Sequence, residues 1–314
     1  MRVAITGSHG FIGREVAKHF HRHGYFVSGL DLRASKQPEF ERSVSGSILE
    51  KRDLEKAFKT ADVVIHTAAV VEEGGDSERF FRLNVDGTKL AAEVARSQGV
   101  RRFIHLSSVM VYGFEFADQI TEDSPFWPNG NPYCDSKIAS EDVLSGLSTS
   151  TFKVIIARPG DVVGPGSIPW VTRPVDLMRR KLFALPNRGR GRFNPIHVRD
   201  IARALFHLSQ LDDPERAYNL VTGHSVSCAE YFDQIAETYR LPRPMRLPTS
   251  VMRSAARVMT KSASIFNFQA PFQAEGVDFL LRSGTYNGNA LRASGFECSE
   301  TLESLFMELR NLSR

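Results

Sequence analysis

The sequence predicts a doubly wound α/β protein: a parallel β-sheet covered by helices on both faces, with a smaller, mainly helical lobe. Two observations carry that expectation. Through Pro159, short runs that are apolar throughout alternate with longer segments of helical period, the pattern of buried strands joined by crossover helices. Beyond Pro165 the alternation loosens and proline-rich connections interrupt it.

In order, "RVAIT" (2–6) reads as a strand, "FIGREVAKHFHRHG" as a helix closed by Gly24, and "YFVSGL" as the second strand. A third strand around "SVSGSI" precedes a short helix at Asp53–Lys59, and "ADVVIHTAA" is the fourth strand. A helix over about 78–98 leads to "RFIHLSS", the fifth strand; the helix opened by "NPYCDSKIASE" follows, then "FKVIIARP". The second half holds a helix at about 172–182, a basic loop, "FNPIHV", a helix at about 199–210 and a short strand "AYNLV". A helix at about 227–239, the proline-broken "RLPRPMRLP" and a mixed helical stretch from "SVMRSAARVM" complete it. Residues 1–165 are therefore read as the main domain and 166–314 mainly as the second lobe. That lobe is built from about 166–192 and 223–290, with 193–222 returning to the main sheet.

At 314 residues and 42% hydrophobic content, the chain can bury one large core, or a core and a smaller lobe. No apolar run approaches the roughly 20 residues that span a bilayer, and the N-terminus enters a strand by Val3 without a charged-then-apolar leader. A cytoplasmic location without a membrane partner is expected. Cys134, Cys228 and Cys298 are far apart and not at zinc spacing, so they read as packed or free thiols and no metal site is expected. The formal net charge is +4, but it is local: between Arg173 and Arg192 seven basic residues stand against Asp176 alone. That concentration argues against a general nucleic-acid binder and leaves two readings of the patch, a solvated face or a site for an anionic ligand.

"TGSHGFIG" places Gly7, Gly10 and Gly13 between the first strand and the first helix. The chemistry of a dinucleotide site needs glycine there: one for the tight turn, one so that backbone approaches a pyrophosphate, one for close packing of helix on strand. Asp31 closes the second strand 18 residues past Gly13, near the usual interval of about 20. A carboxylate at that point accepts hydrogen bonds from ribose hydroxyls and repels a 2′-phosphate, which favours NAD over NADP. Leu32 follows it, and Arg33 is the nearby residue suited to a phosphate. The main domain is thus Rossmann-type.

"NPYCDSKIASE" places Tyr133 and Lys137 four residues apart, on one face of the first helical turns. A free tyrosine, with a pKa near 10, is a poor base at neutral pH, and an adjacent ammonium favours its ionised form. Such pairs also arise by chance on surface helices, so the pair takes its meaning from its surroundings.

Those surroundings resemble the extended short-chain dehydrogenase/reductase family, the group of NAD-dependent sugar epimerases, dehydratases and 3β-hydroxysteroid-dehydrogenase-like enzymes. The resemblance rests on "TGSHGFIG", "RDL" (52–54), "HTAA" (66–69), "NVDGT" (84–88), "SSVMVYG" (107–113), "YCDSK" (133–137) and "RPGDVVGPG" (158–166), in family order. "IHVRDIARAL" and "AYNLVTG" extend it more loosely. The resemblance implies that Tyr133 is the catalytic acid or base, with Lys137 lowering its pKa and contacting the nicotinamide ribose. It places Ser108 at the catalytic Ser/Thr position, where a hydroxyl hydrogen-bonds the reacting oxygen. Phe11 and Ile12 would lie over the pyrophosphate, Asp53 and Leu54 beside the adenine, and Thr67, Ala68 and Ala69 along the cofactor cleft. Asn84 would steady the elements around the site, and Pro159 would lie near the nicotinamide amide. Ser107 is counted with the cofactor cleft, its own hydroxyl read as satisfied at the strand end. His66 reads as a core or cleft histidine bonded to backbone.

Three departures bear on the reaction. Sugar 4,6-dehydratases of this family carry acids just after the catalytic Ser/Thr, whereas this chain has Val109 and Met110, so dehydration is not expected. Those two residues are instead read as a greasy wall facing the substrate, or as packing. Nucleotide-sugar epimerases usually have an arginine four residues before the His/Tyr of the "HV" segment, where this chain has Phe193; Arg192 sits one residue off. The C-terminal part is closer to the steroid-dehydrogenase-like branch, where a helical lobe covers an apolar substrate. The expectation is an NAD-dependent oxidoreductase moving hydride between a secondary alcohol or ketone and nicotinamide, on a small anionic or apolar substrate. A nucleotide-sugar 4-epimerase with transient oxidation is the alternative, and a non-catalytic NAD(P)-sensing regulator a third. The family also implies a homodimer, formed by the helices after Asn84 and Pro132.

Overall fold

The computed structural model describes residues 1–33, 35–114, 118–266 and 274–313. The chain runs β1 (Arg2–Thr6), α1 (Phe11–Arg22), β2 (Phe26–Asp31), β3 (Arg42–Ser45), α2 (Lys51–Phe58) and β4 (Val63–His66). Next come α3 (Ser77–Phe81), α4 (Gly87–Ser97), β5 (Arg102–Leu106), α5 (Pro132–Leu144) and β6 (Lys153–Pro159). The second half holds β7 (Asp161–Val163), α6 (Arg173–Arg179), β8 (Ala184–Leu185), β9 (Arg192–Phe193), β10 (Pro195–His197), α7 (Val198–Gln210) and β11 (Ala217–Leu220). The last elements are β12 (Val226–Ser227), α8 (Cys228–Thr238), β13 (Met245–Arg246), α9 (Thr249–Phe266), α10 (Ala274–Phe279), α11 (Asn289–Ala293) and α12 (Leu302–Leu312).

Seven strands form one parallel sheet in the order β11-β6-β5-β4-β1-β2-β3. The Rossmann-type expectation holds. Side chains alternate across each strand, so β1 sends Val3 and Ile5 to one face and Ala4 to the other. The first face packs on Val16, Phe20, Ile201 and Leu205 of α1 and α7; the second on Leu54, Ala91 and Leu144 of α2, α4 and α5. Strand order reverses between β1 and β4, and the crevice beyond the carboxyl ends at that point is where such sheets accept ligands.

The helix expected over about 78–98 is interrupted. A π-helical turn at Arg82–Asp86 separates α3 from α4. The buried Asn84 in that turn accepts from the Val70 N–H at 2.7 Å and donates to Ser136 Oγ at 2.9 Å, fixing the widened backbone to β4's loop and to α5. The helix expected at about 172–182 likewise begins as a π-helical turn, Ile168–Thr172, and α6 stops before Lys181, whose φ is +58°.

Of 193–222, α7 and β11 join the main layers, whereas β10 pairs with β7 and β9 with β12 in short ribbons. The second core gathers Val163, Val171, Phe193, Tyr231, Phe232 and Leu305, with the Phe193 and Tyr231 rings 4.1 Å apart. Leu291 of α11 and Phe296 return to the main core, a late excursion that the loose C-terminal pattern did not reveal.

Candidate active site

The glycine loop leads directly from β1 into α1. Gly7 has φ +66°, and a Cβ there would lie 2.8 Å from the Ala68 nitrogen. A Cβ on Gly13 would lie 2.2 Å from the Gly7 carbonyl oxygen, so no larger residue fits without moving the loop. The helix starts at Gly10 without a side-chain cap, which leaves its first N–H groups available to an anion. At the end of β2 the Asp31 carboxylate accepts from the His9 N–H at 3.0 Å. Bare backbone donors, absent side chains and a carboxylate at the end of β2 together fit a dinucleotide.

The opposite side of the crevice is set by α5. Asn131 caps it by accepting from the N–H groups of Tyr133 and Cys134 at 3.0 and 3.2 Å, and Pro132 occupies the first turn. Tyr133 is thereby fixed one residue inside the helix, where its ring is buried. Ser108, two residues past the end of β5, faces the same cavity as the phenol and caps the turn Val109–Tyr112 by accepting from the Met110 N–H at 3.2 Å. Lys137 donates from Nζ to the Leu106 carbonyl oxygen at 2.8 Å.

These contacts correct one expectation. Burial pushes the Tyr133 phenol up to about 12, the Ser108 hydroxyl opposes that rise, and Cys134 and Asp161 add to it. The phenol's net displacement is upward, against the expected lowering by Lys137, whose ammonium donates to a backbone carbonyl. Burial also lowers Lys137, to about 8, with Glu141 opposing.

Behind the pair lies a buried network that the sequence reading missed. Arg158 Nη2 and Glu141 Oε2 are 2.7 Å apart with side chains 5% and 2% exposed, so the two charges compensate one another away from water. Ser107 donates to Glu141 Oε1 at 2.5 Å, and Arg158 Nη1 donates to the Tyr112 hydroxyl, which donates to Asn219 at 2.9 Å. The spacing Lys137–Glu141 and the arginine of "RPG" were visible, but only the fold brings β6 against α5. His66 is bonded to the side-chain hydroxyls of Thr6 and Thr88, at 2.8 and 3.1 Å, and not to backbone as expected.

One cavity of about 550 Å³ joins the glycine loop to this cluster. Gly7, Gly10, Phe11, Ile12 and Gly13 form one end, and Thr67, Ala69, Ser107, Leu106 and Pro159 its middle. Ser108, Val109, Met110, Tyr133 and Lys137 face it next, and the far wall is Trp170, Leu177, Phe183, Met252, Val277 and Phe279. Val109 and Met110 are therefore both packed and on the wall. At the inner end Arg282 Nη2 meets Asp161 Oδ1 at 2.7 Å, both nearly fully buried, a second ion pair that the sequence did not announce.

Several expected contacts stand elsewhere. Asp31, Leu32, Arg33, Asp53, Ala68 and Asn84 lie outside this cavity's wall. Asp53 accepts from the Ser47 N–H at 3.1 Å, and Leu32 is 72% exposed. Leu54 is wholly buried in the sheet's second core, which leaves it no surface to offer an adenine. Arg192 is exposed on β9 and does not line the cavity.

A parallel sheet with a glycine-rich cleft and a buried Ser-Tyr-Lys cluster defines a dinucleotide-dependent enzyme class. A profile of the NAD dependent epimerase/dehydratase family matches residues 3–220, and the chain belongs to that family, whose cofactor is NAD. It is 28% identical over 271 residues to sterol demethylase protein B of Methylococcus capsulatus, covering 82% of this chain and 80% of that one. It is also 28% identical over 277 residues to ceramide reductase of Caulobacter vibrioides, covering 84% and 81%. The solved structure of MoeE5 in complex with UDP-glucose and NAD matches with a TM-score of 0.79 at 25% identity, over 99% of this chain and 98% of that one. Other relatives are named dTDP-D-glucose 4,6-dehydratase, and the chain spans 53% of the uncharacterized protein y4nG of Sinorhizobium fredii.

Proposed function

We propose that the chain is an NAD-dependent oxidoreductase acting on a secondary alcohol or ketone within a largely apolar substrate. NAD, when bound, supplies the hydride acceptor or donor. Tyr133 exchanges a proton with the substrate oxygen, Ser108 hydrogen-bonds that oxygen, and Lys137 anchors the helix that carries the tyrosine. With its pKa at about 12, the phenol is protonated at neutral pH, the form suited to donate to a ketone oxygen. The observation that carries the reading is Ser108, Tyr133 and Lys137 on the wall of one cavity with glycine backbone at one end and aromatic and aliphatic side chains at the other.

The apolar wall favours net redox chemistry on a lipid-like substrate over nucleotide-sugar epimerisation. Arg282 is committed to Asp161, Arg173 to Glu73 at 2.9 Å, and Arg192 does not line the cavity, so diphosphate recognition has no uncommitted arginine on the described wall. The names of the sterol and ceramide relatives support the same direction. The match to MoeE5 with UDP-glucose keeps the epimerase as the second reading. Dehydration is disfavoured because Val109 and Met110 offer no acid beside Ser108. We read the protein as a cytoplasmic homodimer assembled through α4 and α5, to be tested by solution mass.

The deciding experiment is a melting screen with NAD present, comparing steroid-like and long-chain ketones and alcohols with nucleotide sugars, followed by an assay for free NADH. A shift with apolar compounds and NADH formed in proportion to product support the oxidoreductase. A shift with nucleotide sugars alone and no net NADH would establish the epimerase instead.

A further inference from the structure

The mouth of the apolar cavity is a mixed apolar and basic surface that the proposed chemistry does not use. Ile168 and Leu182 line the cavity yet remain 65% and 41% exposed. Met245, 48% exposed, is tied beside Leu182 by its N–H to the Phe183 carbonyl at 3.1 Å. Val251, 50% exposed, precedes Met252, which lines the cavity. Two large apolar side chains of the cavity wall, Ile168 and Leu182, thus stand partly in solvent, and two more, Met245 and Val251, stand in solvent beside residues that line it.

Basic residues alternate with them in the chain. Arg180 and Lys181 directly precede Leu182, Arg243 lies two residues before Met245, and Arg188 belongs to the turn packed against β13 and α9; all four are exposed. Among the described residues, none of the four has a carboxylate within ion-pair distance, whereas Arg179, Arg246 and Arg253 are matched by Asp176, Asp233 and Asp278. The basic excess noted between Arg173 and Arg192 is therefore partly unmatched among the described residues, and Arg180 and Lys181 of that unmatched part directly precede the cavity-lining Leu182.

Cations and large apolar groups interleaved on one face complement an anionic bilayer, whose phosphates take the former and whose acyl boundary takes the latter. A soluble polyanion would leave the apolar groups in water. We propose that the turn after α6, the β8–β13 ribbon and the start of α9 dock on an anionic phospholipid surface, with the cavity opening toward the bilayer. The contact is peripheral: among the described residues no helix is long and apolar enough to cross a membrane. It revises the expectation of no membrane partner, which concerned spanning segments and not surface contact. The proposal rests on the apolar-substrate reading for its purpose, but its test needs no substrate.

The test sediments the full chain, loaded with NAD, with phosphatidylcholine vesicles and with vesicles that also contain phosphatidylglycerol. Binding to the anionic vesicles alone is expected, weakening at least tenfold as salt rises from about 0.05 to about 0.5 M. The Arg180→Glu/Lys181→Glu/Arg243→Glu variant should bind at least tenfold more weakly, and Met245→Asp/Val251→Asp should weaken binding comparably. NAD affinity should be unchanged in both, which reports an intact fold. No binding to anionic vesicles overturns the proposal. So does binding that the Met245→Asp/Val251→Asp variant leaves intact while heparin competes fully, which would mark a site for a soluble acidic macromolecule. Vesicle binding without activity on any apolar ketone would sink the functional reading and leave this one standing.

Discussion

The ammonium of Lys137 donates to the carbonyl oxygen of Leu106 at 2.8 Å, tying α5 to the end of β5 one helical turn past Tyr133. The lysine therefore acts on the tyrosine first through position. Leu106 is the last residue of β5, and Ser108 follows it by two, so one hydrogen bond sets the distance between the strand that carries the serine and the helix that carries the phenol.

Lys137→Met removes that tether and leaves a buried carbonyl without its donor, which costs about 1–3 kcal/mol of stability. NADH formation should fall by roughly 10²-fold or more because the phenol is no longer held against Ser108. Urea unfolding and initial rates on the same preparation check both parts.

Arg158→Met should be more damaging to the fold. It strands the Glu141 carboxylate, which is 2% exposed, and breaking such a pair from one side costs about 3–5 kcal/mol. The double variant Arg158→Met/Glu141→Leu should recover a large part of that loss, since no charge is then left buried. Denaturant midpoints of the single and double variants measure it.

Gly13→Ala tests the cleft. The added methyl would meet the Gly7 carbonyl oxygen at 2.2 Å, so the loop must shift where the backbone is to approach a pyrophosphate. NAD affinity should fall at least tenfold, as read by calorimetric titration, while the far wall of the cavity is untouched.

The main sheet, the glycine loop and the Tyr133–Lys137 helix were legible because each is written locally: apolar runs for strands, glycines where a Cβ would clash, Asn131 and Pro132 at a helix start. The ion pairs Arg158–Glu141 and Arg282–Asp161 were not, since their members lie 17 and 121 residues apart and meet only through tertiary packing. The same reason hid Leu54, whose neighbour Asp53 is half-solvated while Leu54 itself turns into the sheet. The π-helical turn at Arg82–Asp86 escaped because Asn84 widens the helix to reach Val70 and Ser136, a demand set by partners distant in sequence.

Acid should unfold the protein through buried imidazoles. Burial lowers His66 from 6.5 to about 3, and His105 is lowered for the same reason, so the unfolded chain takes up these protons first as pH falls. Stability contributed by His66 is complete above about 6.5 and is lost down to about 3, at up to about 1.4 kcal/mol per pH unit. His66→Gln should flatten the dependence of the denaturant midpoint on pH across that window.

The most direct test of the central claim is Tyr133→Phe, which removes only the hydroxyl. NAD affinity should stay within about twofold, while NADH formation on the compound selected by the melting screen falls roughly 10²–10⁴-fold, the worth of a positioned proton donor or acceptor. Undiminished NADH formation by a variant that still binds NAD would contradict the assignment of the proton transfer to this phenol.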